Sequence, residues 1–319
     1  MTETAALYGP VSGDVALVSE RLRGLAREHH ELVGETLAYI FETGGKRIRP
    51  ALVMLSGKLG NYDVERLVTL AAAFEVVHSA TLVHDDTIDH ALTRRGLKTV
   101  STVWNPQIAV LVGDFLFAQS AELAAQLDNV RIIRLLSATV MAMSSGELRQ
   151  FASSQAVAID EADYFRRITG KTASLLSACC EGAAVVSGQT EIEIQALRSY
   201  GMDLGIAFQI VDDVLDFRGS EEVLGKPAGT DLREGTVTLP AILFAQSLPQ
   251  DSPLLWDIRE GRNVDELVRA VAESGSLEVA QQRAREYAAS AVRTLSVFPD
   301  SVAKDALIQL AEQVVTRDR

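Results

Sequence analysis

The sequence predicts an all-α protein, a single-domain helical bundle running over residues 1–319, and three observations carry that reading. Apolar residues recur at three- and four-residue spacing in nearly every segment, as in Leu67, Leu70, Ala71, Phe74, Val77 and Ala80, which is the period of one helix face. No stretch sustains strand-like alternation between hairpin turns. The composition, 47% hydrophobic and 23% charged with 8 Pro, provides core material for a large domain and little low-complexity sequence.

Roughly the first 12 residues are expected to be disordered, and they lack the basic start and apolar core of a secretion signal. Helices are expected at about 13–43 with a break, 48–60, 64–90, 101–127, 130–155, 161–187, 191–217, 238–247, 264–274 and 276–315 with a break. Those over 64–90 and 191–217 are almost apolar in their middle turns, so each should be central in its bundle. The segments 101–127 and 130–155 are apolar enough to present a face to a second copy of the chain. Between Arg218 and Leu239, Gly219, Gly225, Pro227, Gly229 and Gly235 resist helix and suit a mobile loop beside a site.

The formal net charge of −13 opposes general attraction to nucleic acid or anionic lipid, so an anionic substrate needs local cations or metal ions. Cys179 and Cys180 stand side by side in an apolar helical stretch, where they read as small buried residues of a reducing, cytoplasmic protein. The apolar run Ile108–Val112 is interrupted at Asp114, well short of a membrane span. Membrane contact is therefore expected only as peripheral contact during product release.

Asp85, Asp86 and Asp89 stand at i, i+1 and i+4, which places them within an arc of roughly 100° on a helix. They follow the apolar FEVVHSATLV, and like charges near a helix C-terminus are unfavourable by mutual repulsion and by the helix dipole. A cation should compensate. Gln209, Asp212, Asp213 and Asp216 repeat the arrangement in IAFQIVDDVLDF. Carboxylates without His or Cys at ligand spacing suit Mg²⁺, which is held by one or two carboxylates together with substrate phosphates. A solvated helix end would explain one such cluster; two in apolar helices point to metal-bridged diphosphate.

Cations appear where a diphosphate would need them: Lys46, Arg47 and Arg49 in GGKRIRP, and Arg94 and Arg95 beyond Asp89. Gly44 and Gly45 allow the backbone to approach an anion, and Lys46 and Arg49 fall one turn apart if a helix starts there. His78, two turns before Asp85, would by itself read as a core histidine; its neighbours make it a binding candidate.

Taken in order, GGKRIRP, FEVVHSATLVHDDTIDHALTRRG, GDFLFAQ, GELRQF, ITGKTASL, FQIVDDVLD and GKPAGTDLREGTVTLP resemble the trans-isoprenyl diphosphate synthases, or polyprenyl synthetases, over residues 44–240. The resemblance implies a bundle of the isoprenoid synthase type with a central active-site cavity, working as a homodimer. It implies that Asp85, Asp86, Asp89, Asp212, Asp213 and Asp216 hold three Mg²⁺ ions against an allylic diphosphate, with farnesyl or geranylgeranyl diphosphate as primer. Arg94, Lys171 with its neighbour Thr172, Gln209 and Lys226 would contact that same diphosphate. Lys46, Arg49, His78 and Arg95 would hold isopentenyl diphosphate. Asp85, Asp86, Asp89, Lys171, Asp212 and Lys226 would carry the catalytic step, under a lid that includes Lys226 and Asp231.

One departure stands out: Gly235–Thr236 precedes TLP where many members have a GK pair. Ala80 lies five residues before Asp85, where a bulky aromatic closes the pocket of short-chain members, and the first motif has no two-residue insertion. Both features imply a product in the C30–C50 range, with Ala80, Thr81, Val77 and Phe74 along the tail and a floor from Phe74 or from Val140–Met143. A short-chain synthase, a class I terpene cyclase and a non-catalytic subunit of a heteromeric synthase are the competing readings. The isopentenyl-side cations weigh against the cyclase, and six intact aspartates weigh against the non-catalytic subunit.

Overall fold

The computed structural model of the chain describes residues 8–29, 31–42, 45–94, 96–153, 159–218 and 228–317, the side chains of 150–153 excepted. The regular secondary structure of the described residues is helical but for one two-stranded ladder, as the periodicity predicts. The helices are α1 (Ser12–Arg27), α2 (Glu31–Glu42), α3 (Ile48–Gly57), α4 (Val64–Ile88), α5 (Val100–Val103), α6 (Pro106–Ala125), α7 (Val130–Ser153) and α8 (Glu161–Ile168). A π-turn (Thr169–Ala173) leads into α9 (Ser174–Val186), followed by α10 (Glu191–Arg218), α11 (Thr230–Arg233), α12 (Leu239–Ser247), α13 (Pro253–Glu260), α14 (Val264–Glu273), α15 (Ser276–Thr294) and α16 (Val302–Thr316).

Several expectations are corrected. Tyr8 is buried, its hydroxyl donates to the Lys46 carbonyl, and a 3₁₀ turn (Gly9–Val11) leads into α1. The single helix expected over 101–127 is divided at Trp104–Asn105. Pro106 cannot donate to a continuing helix, and the Asn105 side chain accepts the Ile108 N–H at 2.8 Å as a new N-cap. Helices α11 and α13 and the hairpin of β1 (Thr93–Arg94) with β2 (Leu97–Lys98) have no counterpart in the sequence reading. They are four-, eight- and two-residue elements, too short for a period to show.

The chain divides into two compact units, Met1–Val140 with Ala178–Leu197 and Val297–Leu307, and Met141–Ser177 with Arg198–Ser296 and Ile308–Arg319. In the first unit α4 is the central helix. Leu67, Leu70, Phe74, Val77 and Ala80 are wholly buried, along with Leu52 and Met54 of α3, Leu22 of α1 and Leu116 of α6. Helix α6 crosses α4 closely at Gly113, where a Cβ would come within 2.0 Å of the His84 ring. Helices α4 and α6 both reach the length and apolarity of a membrane span, a test that buried core helices also meet. The sequence reading, which saw no such stretch, stopped at Asp114. Most of the apolar window of α4 is buried, whereas α6 leaves Val110 and Leu111 exposed.

In the second unit the middle of α10 contributes Ile206, Ile210, Val214 and Phe217 to a core shared with Tyr164 and Ile168 of α8, Leu239 and Ile242 of α12, Leu267 and Val271 of α14, and Ala280 and Ala284 of α15. Gly205 admits the π-turn, since a Cβ there would lie 2.5 Å from the Ala173 Cα. Cys179 and Cys180 are buried free thiols; burial pushes Cys180 up to about 12 and Cys179 well above its ordinary value, in keeping with a packing role.

Candidate active site

In the first unit, α4 starts at an Asp63 N-cap that accepts the Arg66 N–H and ends at Ile88, with Asp89 as C-cap donating its N–H to the Asp85 carbonyl at 2.8 Å. The three aspartates thus occupy the last turn, at the negative pole of the helix. Their environments differ: Asp86 is buried, Asp85 half-buried and Asp89 exposed. Arg94 Nε donates to Asp86 Oδ1 at 2.7 Å, the compensating cation that the charge argument called for. The hairpin makes this possible, because its ladder pairs Arg94 with Leu97 around Gly96, whose φ of 79° suits glycine. Arg95 lies outside the described residues.

The GGKRIRP segment differs from its expectation. Helix α3 starts at Ile48, so Lys46 and Arg49 do not stand on successive turns of one helix. Arg47 is the N-cap in the left-handed region, with φ 51°, and its side chain turns inward. Its Nη1 lies 2.6 Å from Glu75 Oε1 and its Nη2 donates to the Phe41 carbonyl at 3.0 Å. Lys46 is exposed and Arg49 half-buried, while His78 is half-buried on α4, three residues beyond Glu75. Of the three clustered cations, one therefore holds the segment to α4. Glu75, the buried acid that accepts it, was not singled out from sequence because a lone Glu in an apolar helix carries no spacing signal.

Among the chain-length residues, Phe74, Val77 and Ala80 are fully buried and Thr81 is half-buried, its hydroxyl donating to the His78 carbonyl at 2.8 Å. Within the same unit the Phe74 ring lies against Gly182 of α9.

In the second unit a hydrogen-bond chain ties the KT pair to the second aspartate cluster. Thr172 Oγ1 donates to Gln209 Oε1 at 2.8 Å, Gln209 Nε2 donates to Asp213 Oδ1 at 2.9 Å, and the Tyr164 hydroxyl donates to Asp213 Oδ2 at 2.6 Å. Lys171 Nζ pairs with Glu147 Oε1 of the GELRQF segment at 2.5 Å. The π-turn that carries Lys171 and Thr172 is the kind of local widening often found at functional positions.

The remaining aspartates are engaged separately. Asp212 Oδ1 accepts from Arg317 Nη2 at 2.6 Å. Asp216 accepts the backbone N–H groups of Thr230 and Asp231 at 3.1 and 3.2 Å, capping α11. Part of the segment expected as a mobile loop is thus a short helix held on Asp216, while Lys226 lies outside the described residues. Tyr164, Glu147 and Arg317 were not found from sequence; each acts through tertiary contact, and no local motif marks it.

This side carries an excess of negative charge. Burial, then the Asp231 carboxylate, push Asp213 up to about 8, with Asp212 adding to the rise against the Tyr164 and Gln209 hydrogen bonds. Asp231 is raised to about 6 by burial and by Asp216, Glu234 and Asp212, with Arg167 opposing. Neighbouring carboxylates thus add to the raised proton affinity of Asp213 and Asp231, which a divalent cation would reverse.

A model of the polyprenyl synthetase family matches residues 30–274. The chain is 37% identical over 316 residues to heptaprenyl diphosphate synthase component 2 of Geobacillus stearothermophilus, covering 98% of each. The chain belongs to the polyprenyl synthetase family. Two solved polyprenyl synthetases resemble it over nearly all of its length. A polyprenyl synthase from Caulobacter crescentus CB15, complexed with calcium and isoprenyl diphosphate, has a TM-score of 0.91 and 34% identity over 99% of this chain and 98% of that one. A decaprenyl diphosphate synthase from Rhodobacter capsulatus has a TM-score of 0.91 and 35% identity over 99% of each.

For this polyprenyl synthetase, the donor set fits a hard divalent cation. The acids are carboxylates, and their mutual repulsion in the second unit calls for positive charge. Among the described residues no group of three His, Cys, Asp or Glu converges as a preformed metal site.

Proposed function

We propose that the protein condenses an allylic diphosphate, with farnesyl or geranylgeranyl diphosphate as primer, with isopentenyl diphosphate in successive trans, head-to-tail additions. The observation that carries the metal-dependent diphosphate chemistry is the gathering of Asp212, Asp213, Asp216 and Asp231 in the second unit, where burial and then the Asp231 carboxylate push Asp213 up to about 8. Asp85, Asp86 and Asp89 with Asp212, Asp213 and Asp216 would hold Mg²⁺, three ions in all, against the allylic diphosphate. Mg²⁺ at these carboxylates supplies Lewis-acid stabilisation of the departing diphosphate.

The side chains do the rest. Arg94, Lys171 and Lys226 place positive charge on the leaving group, and Gln209, held by Thr172, orients it. Lys46, Arg49, His78 and Arg95 hold the isopentenyl diphosphate. The allylic C–O bond ionises, the isopentenyl double bond attacks the allylic carbon, and a proton lost to the released diphosphate restores an alkene. Asp231 and Lys226 belong to the cover that excludes water from the cation. Tyr164, through its bond to Asp213, is a positioning residue for the second cluster.

A product of C30–C50 is supported by the small, buried Ala80 and by the heptaprenyl and decaprenyl synthases among the relatives. The exposed Val110 and Leu111 of α6 and Ile133 of α7 support pairing with a second copy in a cytoplasmic homodimer. One relative's designation as component 2 favours a second reading, in which a partner chain is required for full activity.

The test is incubation of the pure protein and Mg²⁺ with labelled isopentenyl diphosphate and each allylic primer, followed by sizing of the dephosphorylated products. A ladder ending between C30 and C50 is expected. A short-chain product would refute the length assignment, and no elongation with any primer, with or without a partner subunit, would refute the activity.

A further inference from the structure

Just beyond α16, Arg317 reaches the second aspartate cluster. Arg317 lies one residue beyond α16, its N–H bonded to the Gln313 carbonyl at 3.1 Å, and the last turn of that helix is tied to α15 by Gln281 Nε2 donating to the Val315 carbonyl at 2.7 Å. From this anchored position Arg317 Nη2 donates both to Asp212 Oδ1, at 2.6 Å, and to the Phe208 carbonyl, at 2.9 Å. The guanidinium also lies over the Phe208 ring, 4.0 Å from its centroid. Phe208 and Asp212 are four residues apart on α10, so the arginine follows one face of that helix.

The Arg317 side chain is only 16% exposed, against 42% for Asp212. A charge so largely withdrawn from water, fixed by two hydrogen bonds and a stacked ring, differs from a surface ion pair that solvent and salt dissolve. The bond is charge-assisted, and it engages an oxygen of the carboxylate that the proposed function assigns to metal. A divalent cation and a guanidinium compete for the same oxygen.

We propose that Arg317 is a resident counter-ion of Asp212, which neutralises this carboxylate in the metal-free protein and yields it to Mg²⁺. Arg317 thereby sets the threshold at which the second cluster takes up metal. The proposal rests on the reading of Asp212 as a metal ligand.

The test compares the full chain with its Arg317→Gln, Arg317→Lys and Asp212→Ala variants, titrated calorimetrically with Mg²⁺ in the presence of inorganic pyrophosphate and melted in the metal-free state. For Arg317→Gln the Mg²⁺ dissociation constant is expected to fall about tenfold, the weight of one charge-assisted hydrogen bond. Its metal-free melting temperature is expected to fall, because the charge-assisted bond between Arg317 and Asp212 is lost. Arg317→Lys keeps the charge but loses the stacking and a second donor, so it carries the same test with a smaller shift if the Gln variant is too unstable to titrate. An unchanged constant overturns the proposal, and a raised one would make Arg317 a permanent positioning residue. Wild-type affinity in Asp212→Ala, or no Mg²⁺ binding by any of the proteins, overturns the metal reading of Asp212 itself.

Discussion

Replacing Asp213 by Asn should stabilise the metal-free protein while abolishing its use as an enzyme. Asp213 is wholly enclosed in α10, and its carboxyl is held at about 8 against an ordinary 3.8. At pH 7 the folded protein keeps this group protonated, whereas the unfolded chain releases the proton. The difference costs about 1.36 kcal/mol per pH unit between 3.8 and 7, or about 4 kcal/mol. Because the folded value is raised, the stability linked to this group is full below pH 3.8 and is lost as the pH rises towards 8. Asn removes the ionisation from the unfolded state and still offers an oxygen to the Tyr164 hydroxyl, while its NH₂ group requires the Gln209 amide to turn over, so that Oε1 accepts from it and Nε2 donates to Thr172 Oγ1. Urea unfolding in EDTA at pH 4.5 and pH 7 should therefore show the Asn variant gaining little at the lower pH and up to about 4 kcal/mol at the higher. A gain that is the same at both values would refute the reasoning, since it would show that Asp213 is ionised in the folded state.

Asp85→Ala and Asp212→Ala should each lower turnover by orders of magnitude with the helical circular dichroism unchanged, because each removes a carboxylate that the proposed function assigns to metal and not a core residue. Ala80→Phe should shorten the product, read by chromatography of the dephosphorylated prenols; an unchanged ladder would show that Ala80 does not face the growing tail. Arg47→Ala should destabilise the protein by about 3–5 kcal/mol in urea unfolding, since it leaves Glu75 buried without its ion-pair partner. A loss below 1 kcal/mol would show that water reaches Glu75.

Much of this protein could be read from order along the chain. The spacing of Leu67, Leu70, Phe74 and Val77 marked α4 as a buried helix, and the repeat of Asp212, Asp213 and Asp216 on an apolar helix marked α10 as a second bearer of charge. The helix period is a local property, set by neighbouring turns, so the sequence alone was enough for the class of fold, for the two acidic clusters and for their family. It was not enough for the short elements. The ladder at Thr93–Arg94 and the helix at Thr230–Arg233 exist because Arg94 reaches back to Asp86 and because Asp216 caps backbone N–H groups fourteen and fifteen residues ahead.

The partners of the site residues were likewise decided by tertiary structure. The sequence singles out Lys46 and Arg49 but leaves Arg47 without a role, and only folding gives it one, as the cation that the buried Glu75 draws inward. Nor does the sequence connect Arg317 with Asp212, or Tyr164 with Asp213, since 105 and 49 residues separate them. Charge pairing depends on distance and burial, not on spacing along the chain, which is why six aspartates that look alike in sequence become buried, capped, paired or exposed groups in the folded protein.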